Sequence, residues 1–310
     1  MKVLVTGGAG FIGSHVVDAL VKRGDEAVII DNFSTGFEKN INPAATLYRL
    51  SICNTAIEKI FEREKPEVVI HLAAQTSVTQ SLINPAYDAA VNILGSLNVI
   101  SNCVRSGVRK IVYASSCAVY GTPEYLPVDE NHPIKAISPY GVSKHTVEHY
   151  LFQNHILHGL PFIVLRYANV YGPRQNPHGE GGVVAIFAGK MLGGEQPTMY
   201  GLGNKSRDYI YVDDIVRADI MAAESKETGI FNIGTGEETL DKMVFELISQ
   251  ECNYDGLPFY AAERPGEIKR MCIDNSRAVK ILKWNPRVHV REGITRAIAY
   301  YKNDLIKLAA

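Results

Sequence analysis

The sequence has no excess of charge of either sign: 32 Lys and Arg stand against 33 Asp and Glu, a net charge of -1 over 310 residues. That balance lends nothing to a nucleic-acid partner or to a polybasic membrane surface. No apolar run approaches the roughly 20 residues that span a bilayer, so no membrane partner is expected. The opening MKVLVTGGAG enters a strand-like run at once, without a basic segment followed by a long apolar stretch, and does not read as a secretory leader. Cysteine is sparse. Cys53, Cys103, Cys117, Cys252 and Cys272 are odd in number and lack metal-ligand spacing. They read as free thiols of a reducing, cytoplasmic protein with no bound metal. Repeats, low-complexity tracts and flexible linkers are missing as well.

What is present is the composition of a globular protein, 46% hydrophobic and 21% charged. The length allows one large α/β domain, or a nucleotide-binding domain with a smaller lobe. Apolar, β-branched runs at Val3–Thr6, Ala27–Asp31, Val68–Leu72, Lys110–Ala114 and Phe162–Tyr167 alternate with helical patterns around His15–Arg23, Ala86–Val104 and Tyr140–Leu157. Continuous apolar strands between amphipathic helices predict an α/β fold, a doubly wound parallel sheet covered on both faces. Beyond about residue 170 the rhythm changes. Asn176–Gly182 reads as a loop, Pro197–Asp214 is rich in Gly and Tyr, Asp213–Ser225 reads as a helix, and Ile230–Ile233 as one more strand. The expected organisation is a dinucleotide-binding domain over 1–170 plus about 209–236. A smaller, interleaved C-terminal substrate-binding lobe takes about 171–208 and 237–310.

Gly7-Gly8-Ala9-Gly10-Phe11-Ile12-Gly13 follows the first strand and opens the first helix. Glycines there permit a tight turn, close backbone approach to a pyrophosphate, and helix–strand contact, while the helix N-terminus offers N–H groups and a positive dipole end. Asp31 ends the next strand, where a carboxylate accepts bonds from adenosine ribose hydroxyls and repels a 2′-phosphate, so NAD is preferred over NADP. Asn32-Phe33-Ser34-Thr35-Gly36 extends this edge as a polar turn that could reach the adenosine. Leu72-Ala73-Ala74-Gln75 ends a central strand, with small residues that let the backbone approach a cofactor or simply pack tightly.

Ser138-Pro139-Tyr140-Gly141-Val142-Ser143-Lys144 starts a helix, since the residue before proline avoids the helical region and proline suits a first turn. Tyr140 and Lys144, at i and i+4, share one face. A free tyrosine has a pKa of about 10. A nearby Lys⁺ and a positive nicotinamide would favour phenolate, making Tyr140 a general acid/base beside a hydride acceptor. Ala114-Ser115-Ser116 leaves the end of a central strand, where Ser116 could hold the reacting oxygen. His145-Thr146-Val147-Glu148-His149 matches a metalloprotease pattern. Its histidines point roughly 140° away from Tyr140 and Lys144, toward solvent or a subunit contact, so zinc chemistry is not expected from them.

These segments together resemble the extended short-chain dehydrogenase/reductase family over nearly the whole chain, and within it the NAD-dependent nucleotide-sugar epimerases. Arg166-Tyr167-Ala168-Asn169-Val170-Tyr171-Gly172-Pro173 is similar to their segment joining cofactor and sugar nucleotide. Arg207-Asp208-Tyr209 and Arg264-Pro265-Gly266-Glu267 resemble their diphosphate contacts. The resemblance implies a Rossmann fold with NAD held by Gly7, Gly10, Phe11, Ile12, Gly13, Asp31, Asn32, Ser34, Thr35, Gly36, Ser51, Ile52, Leu72, Ala73, Ala74, Gln75, Asn92, Ser115, Tyr140, Lys144 and Tyr167. It implies a UDP-sugar substrate touched by Ser116, Tyr140, Asn169, Gly182, Val183, Val184, Thr198, Tyr200, Arg207, Arg264 and Glu267. Catalysis would fall to Ser116, Tyr140 and Lys144. Two separated arginines suit a diphosphate, although each could instead salt-bridge to Asp208 or Glu267. Dehydratases and decarboxylases of this family carry an acid just after the serine position. Here Cys117 and Ala118 stand there, which favours 4-epimerisation of a UDP-hexose by transient C4 oxidation. Ser51 stands where many relatives have Asp, and Met271 where relatives vary residue size to admit or exclude N-acetyl sugars. Open alternatives are 4-epimerisation of N-acetyl or glucuronate sugars, net keto-sugar reduction, and, from another class, non-catalytic NAD sensing. A homodimer through the helices around 86–104 and 140–157 is expected from the resemblance.

Overall fold

A computed structural model describes residues 1–177, 182–263 and 267–309, with side chains placed up to residue 304. Its centre is a seven-stranded sheet in which every neighbouring pair is parallel. The strands are β1 (Lys2–Thr6), β2 (Glu26–Asp31), β3 (Thr46–Arg49), β4 (Val68–His71), β5 (Lys110–Ser116), β6 (Phe162–Tyr167) and β7 (Gly229–Ile233). They lie in the order β7-β6-β5-β4-β1-β2-β3. The order reverses between β1 and β4, and in open α/β sheets a ligand sits outside the carboxyl ends of the strands at such a switch point.

The apolar runs are continuous because both faces are covered. Val3, Val5, Ile29, Ile70, Val112 and Leu165 are buried in one core, while Leu4, Val28, Ile30, Val69, Ile111 and Val164 are buried in the other. Period-two alternation of the side chains therefore sends successive residues of one strand into two separate cores.

Two elements depart from the sequence reading. Thr46–Arg49 forms an edge strand that the apolar pattern does not announce, because its residues are exposed or half-exposed. The Ala86–Val104 pattern does not make one helix. A short helix over Pro85–Ala89 runs into a π-helical turn over Ala90–Gly95 before the helix Ser96–Arg105. Gly95 sits against Ile52 there, where an added Cβ would lie 2.8 Å from the Ile52 side chain. π-Turns of this kind are frequent at functional sites.

After β6 the chain builds small ribbons beside the sheet. Asn169–Tyr171 pairs in parallel with Tyr209–Tyr211, Thr198–Tyr200 in parallel with Phe259–Ala261, and Ser206–Arg207 antiparallel with Thr239–Leu240. The helix Val212–Glu224 packs against the first helix, Phe11–Lys22, and leads back into β7. Trp284, fully buried, donates its indole N–H to the Asp214 carbonyl at 2.9 Å and ties the C-terminal part to that helix.

Candidate active site

The glycine turn sits at the carboxyl end of β1. Gly7 adopts φ +75, and a Cβ on it would lie 2.9 Å from the Ala73 nitrogen. A Cβ on Gly13 would lie 2.1 Å from the Gly7 carbonyl oxygen, so only glycine lets the helix start this close to the strand end. Gly10 caps the helix, and no side chain caps it. An uncapped N-terminus leaves backbone N–H groups for an anion.

Asp31, at 7% exposure, holds this turn together. Its carboxylate accepts the Ala9 N–H at 2.9 Å and the Phe33 N–H at 2.7 Å. Two oxygens offer about four lone-pair sites, so ribose hydroxyls can still be accepted. Asn32 Oδ1 accepts the Ser34 N–H, which shapes the polar turn ahead of Thr35, and Gly36 lies against Ala9, where a Cβ would be 2.8 Å from the Ala9 Cβ. Ser51 Oγ accepts the Cys53 N–H, and Ile52 is buried beside Gly95.

The strand read as Val68–Leu72 ends one residue earlier, at His71, and the following turn, Leu72–Gln75, is fixed from outside. Asn92, in the π-turn, accepts the Gln75 N–H at 2.8 Å and donates to the Gln75 carbonyl at 3.0 Å. The same amide donates to Asp88 Oδ1 at 3.0 Å and to Ser143 Oγ at 3.1 Å. Asn92 thus joins the turn after β4 to the helix that carries Tyr140 and Lys144.

That helix, Pro139–His158, begins with Ser138 as its cap, the Ser138 hydroxyl accepting the Gly141 N–H at 3.1 Å. The Tyr140 phenol lies near Ser116 at the end of β5, close enough for the hydroxyl to favour its ionised form, and Ser116 Oγ accepts the Ala118 N–H. Lys144 is 3% exposed and donates to the Ala114 carbonyl at 2.8 Å. Its ammonium lies 5.9 Å from the centre of the Tyr140 ring and 5.0 Å from that of Tyr113. The three side chains read from sequence are therefore brought together.

Burial dominates the electrostatics of this pair. Burial pushes the Tyr140 phenol well above its usual value, and the Ser116 hydroxyl only partly offsets this. Burial also pulls Lys144 down to about 8, against the opposing pull of Asp88 and Glu148. Lys144 is spent on a backbone carbonyl and on its own desolvation. It does not by itself make Tyr140 acidic, so the phenol holds its proton at neutral pH. His71 is buried between Thr6 Oγ1 (2.6 Å) and Ser96 Oγ (2.9 Å). Burial, with the Lys144 charge, holds it neutral, down to about 3.

Several positions serve the core with their side chains. The Ser115 hydroxyl donates to Glu148 Oε1 at 2.6 Å. Tyr167 is buried and donates to Asp219 Oδ1 at 2.5 Å, while burial raises Asp219 to about 7. Val184 is 1% exposed, within the helix Val183–Leu192 that Gly182 caps. Asn169 is exposed just past β6, and Thr198 and Tyr200 stand half-exposed on their ribbon.

Arg207 does not pair with Asp208. Asp208 is fully buried and accepts from the Thr235 N–H and hydroxyl and from the Gly236 N–H. Among the described residues the Arg207 guanidinium donates only to the carbonyls of Ser206 and Lys269. A guanidinium without a carboxylate partner is what a phosphate needs. Glu267 is paired with Lys205 at 2.7 Å. Arg264 lies outside the described residues. Met271 is buried at 2% exposure.

The His145–His149 segment places its glutamate in an ion pair. Glu148 is buried and bound to Arg166 through two bonds, at 2.6 and 3.0 Å, to Ser115, and to His145 at 3.0 Å. Among the described residues no group of three or more His, Cys, Asp or Glu is placed to hold a metal. Sequence reasoning gave no site role to Glu148 or Asp88. The available signal was helical spacing, Lys144 to Glu148 and Asp88 to Asn92, each i to i+4.

A nucleotide turn at the switch point with a Ser, Tyr and Lys across from it defines a dinucleotide-dependent enzyme of the short-chain dehydrogenase/reductase type. Residues 3–234 match the NAD dependent epimerase/dehydratase family, and the chain belongs to that family. It is 39% identical over 310 residues to a UDP-glucose 4-epimerase of Mycolicibacterium smegmatis, covering 98% of this chain and 99% of the relative. It is similar to the crystal structure of a UDP-glucose 4-epimerase with UDP-glucose from Thermotoga maritima, with TM-score 0.97 and 44% identity over 98% of this chain and 100% of that one. The UDP-glucose 4-epimerase of Thermus thermophilus in complex with NAD aligns at TM-score 0.93 and 40% identity, covering 97% of this chain and 99% of that one.

Proposed function

We propose that the chain interconverts UDP-glucose and UDP-galactose at the sugar C4, with NAD kept through the cycle. The observation that carries this is Tyr140 beside Ser116 at the end of β5, with Lys144 one helical turn on and Arg207, bonded among the described residues only to carbonyls, on the adjoining ribbon. The residues fit NAD: the glycine turn forms a cradle that a Cβ would fill, and Asp31 faces the edge where a ribose would lie. When bound, NAD supplies reversible hydride transfer at C4.

The chain supplies the rest. Ser116 holds the C4 oxygen and passes its proton to and from Tyr140. With its proton held high by burial, Tyr140 is loaded as the acid that reprotonates the oxygen. Its service as a base requires positive charge near the ring. Lys144 uses one donor on Ala114 and offers others to a ribose. Arg207 holds the diphosphate while the sugar turns over. Elimination of a sugar hydroxyl needs an acid beside the serine. Cys117, buried with its thiol pushed up to about 11, offers neither an acid nor a thiolate at neutral pH.

The test is incubation of the protein with UDP-galactose, UDP-glucose and their N-acetyl and glucuronate counterparts, read by NMR for the C4 epimer. UDP-glucose forming from UDP-galactose without added cofactor supports the reading, and no epimer from any sugar ends it. Heat-released NAD at one equivalent per chain would account for activity without added cofactor. Placement in galactose metabolism belongs to the same proposal, as does a cytoplasmic setting, which the five free thiols support.

We also propose a homodimer. Tyr87 and Leu94 in the segment 86–104, and Val142, Phe152 and Ile156 in the helix Pro139–His158, are between 50% and 65% exposed. So much apolar surface on two adjacent helical segments favours burial against a second copy. Sedimentation as a monomer at micromolar concentration would overturn this.

A further inference from the structure

We infer that His71 is a positioning residue for NAD, a buried imidazole whose two nitrogens bond the end of β1 to the helix that follows the π-turn and so fix the spacing of the two turns that hold the cofactor; this rests on the NAD-dependent reading given above. His71 ends β4 and is 1% exposed. Its Nδ1 lies 2.6 Å from Thr6 Oγ1, at the end of β1. Its Nε2 lies 2.9 Å from Ser96 Oγ, the first residue of the helix Ser96–Arg105.

The neighbours decide which nitrogen carries the proton. The Ser96 hydroxyl donates to the Asn92 carbonyl at 2.5 Å, and a carbonyl only accepts. With its one hydrogen spent there, Ser96 accepts from Nε2, so Nε2 carries the proton. Burial and the Lys144 charge both oppose a second proton, and the ring stays neutral. Nδ1 is therefore an acceptor, and the Thr6 hydroxyl donates to it. Thr6 Oγ1 in turn accepts the Ala73 N–H at 3.2 Å. The outcome is one directed run of hydrogen bonds, from Ala73 to Thr6 to His71 to Ser96 to the Asn92 carbonyl, each hydroxyl donating onward what it accepts from behind.

The run holds together the floor of the cofactor site. Thr6 precedes Gly7, and a Cβ on Gly7 would lie 2.9 Å from the Ala73 nitrogen, so the glycine turn and the turn after β4 touch where Thr6 joins them. At the other end, the Asn92 side chain accepts the Gln75 N–H and donates to the Gln75 carbonyl. The turn Leu72–Gln75 is thus tied at Ala73 and at Gln75 to one imidazole. A histidine that only filled space would have no use for a hydroxyl at each nitrogen. Packing and positioning separate on substitution, because Thr6→Val and Ser96→Ala leave the ring in place and break the run on one side or the other.

The experiment measures exchange of protein-bound NAD for isotopically labelled NAD in the wild-type holoenzyme and in Thr6→Val, Ser96→Ala and His71→Phe, with Tm recorded for each. Loss of one buried bond from the run is expected to speed exchange about tenfold in Thr6→Val and in Ser96→Ala. His71→Phe, which fills the space and bonds neither hydroxyl, is expected to carry less than one NAD per chain. Should it fail to fold, the two variants that keep the ring carry the test. Imidazole ¹⁵N NMR of the wild-type protein is expected to show His71 neutral with its proton on Nε2. A wild-type exchange rate in either Thr6→Val or Ser96→Ala, whatever its Tm, overturns the inference, as does a His71 ring protonated on Nδ1. A wild-type protein that takes up no NAD, as purified or on addition, would instead overturn the proposed function on which the inference rests.

Discussion

Glu148→Gln is the substitution whose cost the structure fixes best. Glu148 and Arg166 have side chains 2% and 3% exposed, so solvent screens neither. Burial by itself would raise the carboxyl, yet bonds from His145, Arg166 and Ser115 bring it down to about 2. Glutamine keeps the shape and removes the charge, leaving the Arg166 guanidinium buried with only the Tyr120 hydroxyl, at 2.9 Å, as a further partner. Breaking a buried pair on one side costs about 3–5 kcal/mol. At about 2.1 cal/mol/K per residue, unfolding 310 residues carries an entropy of about 0.65 kcal/mol/K. The expected fall in Tm is therefore about 5–8 °C at pH 7, read by calorimetry. The folded carboxyl titrates below its usual value, so this stabilisation is fully present above about pH 4.5 and fades as pH falls toward 2. The gap between variant and wild type should close over that window. A Glu148→Gln protein melting within about 1 °C of wild type at pH 7, or a gap that persists undiminished to about pH 2.5, would refute the assignment of charge to this pair.

Three further outcomes follow from the site. Tyr140→Phe should retain NAD, measured as nucleotide released on heating, while turnover falls by roughly 10²–10⁴-fold, the usual worth of a positioned acid or base; unchanged turnover would assign the proton to another group. Gly13→Ala places a Cβ 2.1 Å from the Gly7 carbonyl, and the purified protein should carry no nucleotide; full NAD occupancy would show the turn to be deformable. Arg207→Ala should raise KM for the UDP-sugar more than about tenfold and leave NAD content intact, since among the described residues the guanidinium bonds only carbonyls; an unchanged KM would remove Arg207 from the diphosphate site.

The sequence by itself determined what is contiguous along the chain. The glycine turn, Asp31 at the next strand end, and Tyr140 and Lys144 at one helical turn are local patterns, and the parallel sheet follows from continuous apolar runs that both faces must cover. Only the tertiary structure decided what depends on partners from distant segments. Thr46–Arg49 becomes a strand because β2 offers it an edge, not because its residues are apolar. Tyr167 and Ser115 turn their hydroxyls to Asp219 and Glu148, since strand alternation in a doubly covered sheet sends every second side chain into a core. Arg207 does not pair with its neighbour Asp208, because Asp208 is consumed by the turn at Thr235 and Gly236. The charge state of Tyr140 and Lys144 belongs to the same class. Their spacing is written in the sequence, but desolvation and the Ala114 carbonyl set where their protons sit, and burial is a property of the packed fold alone.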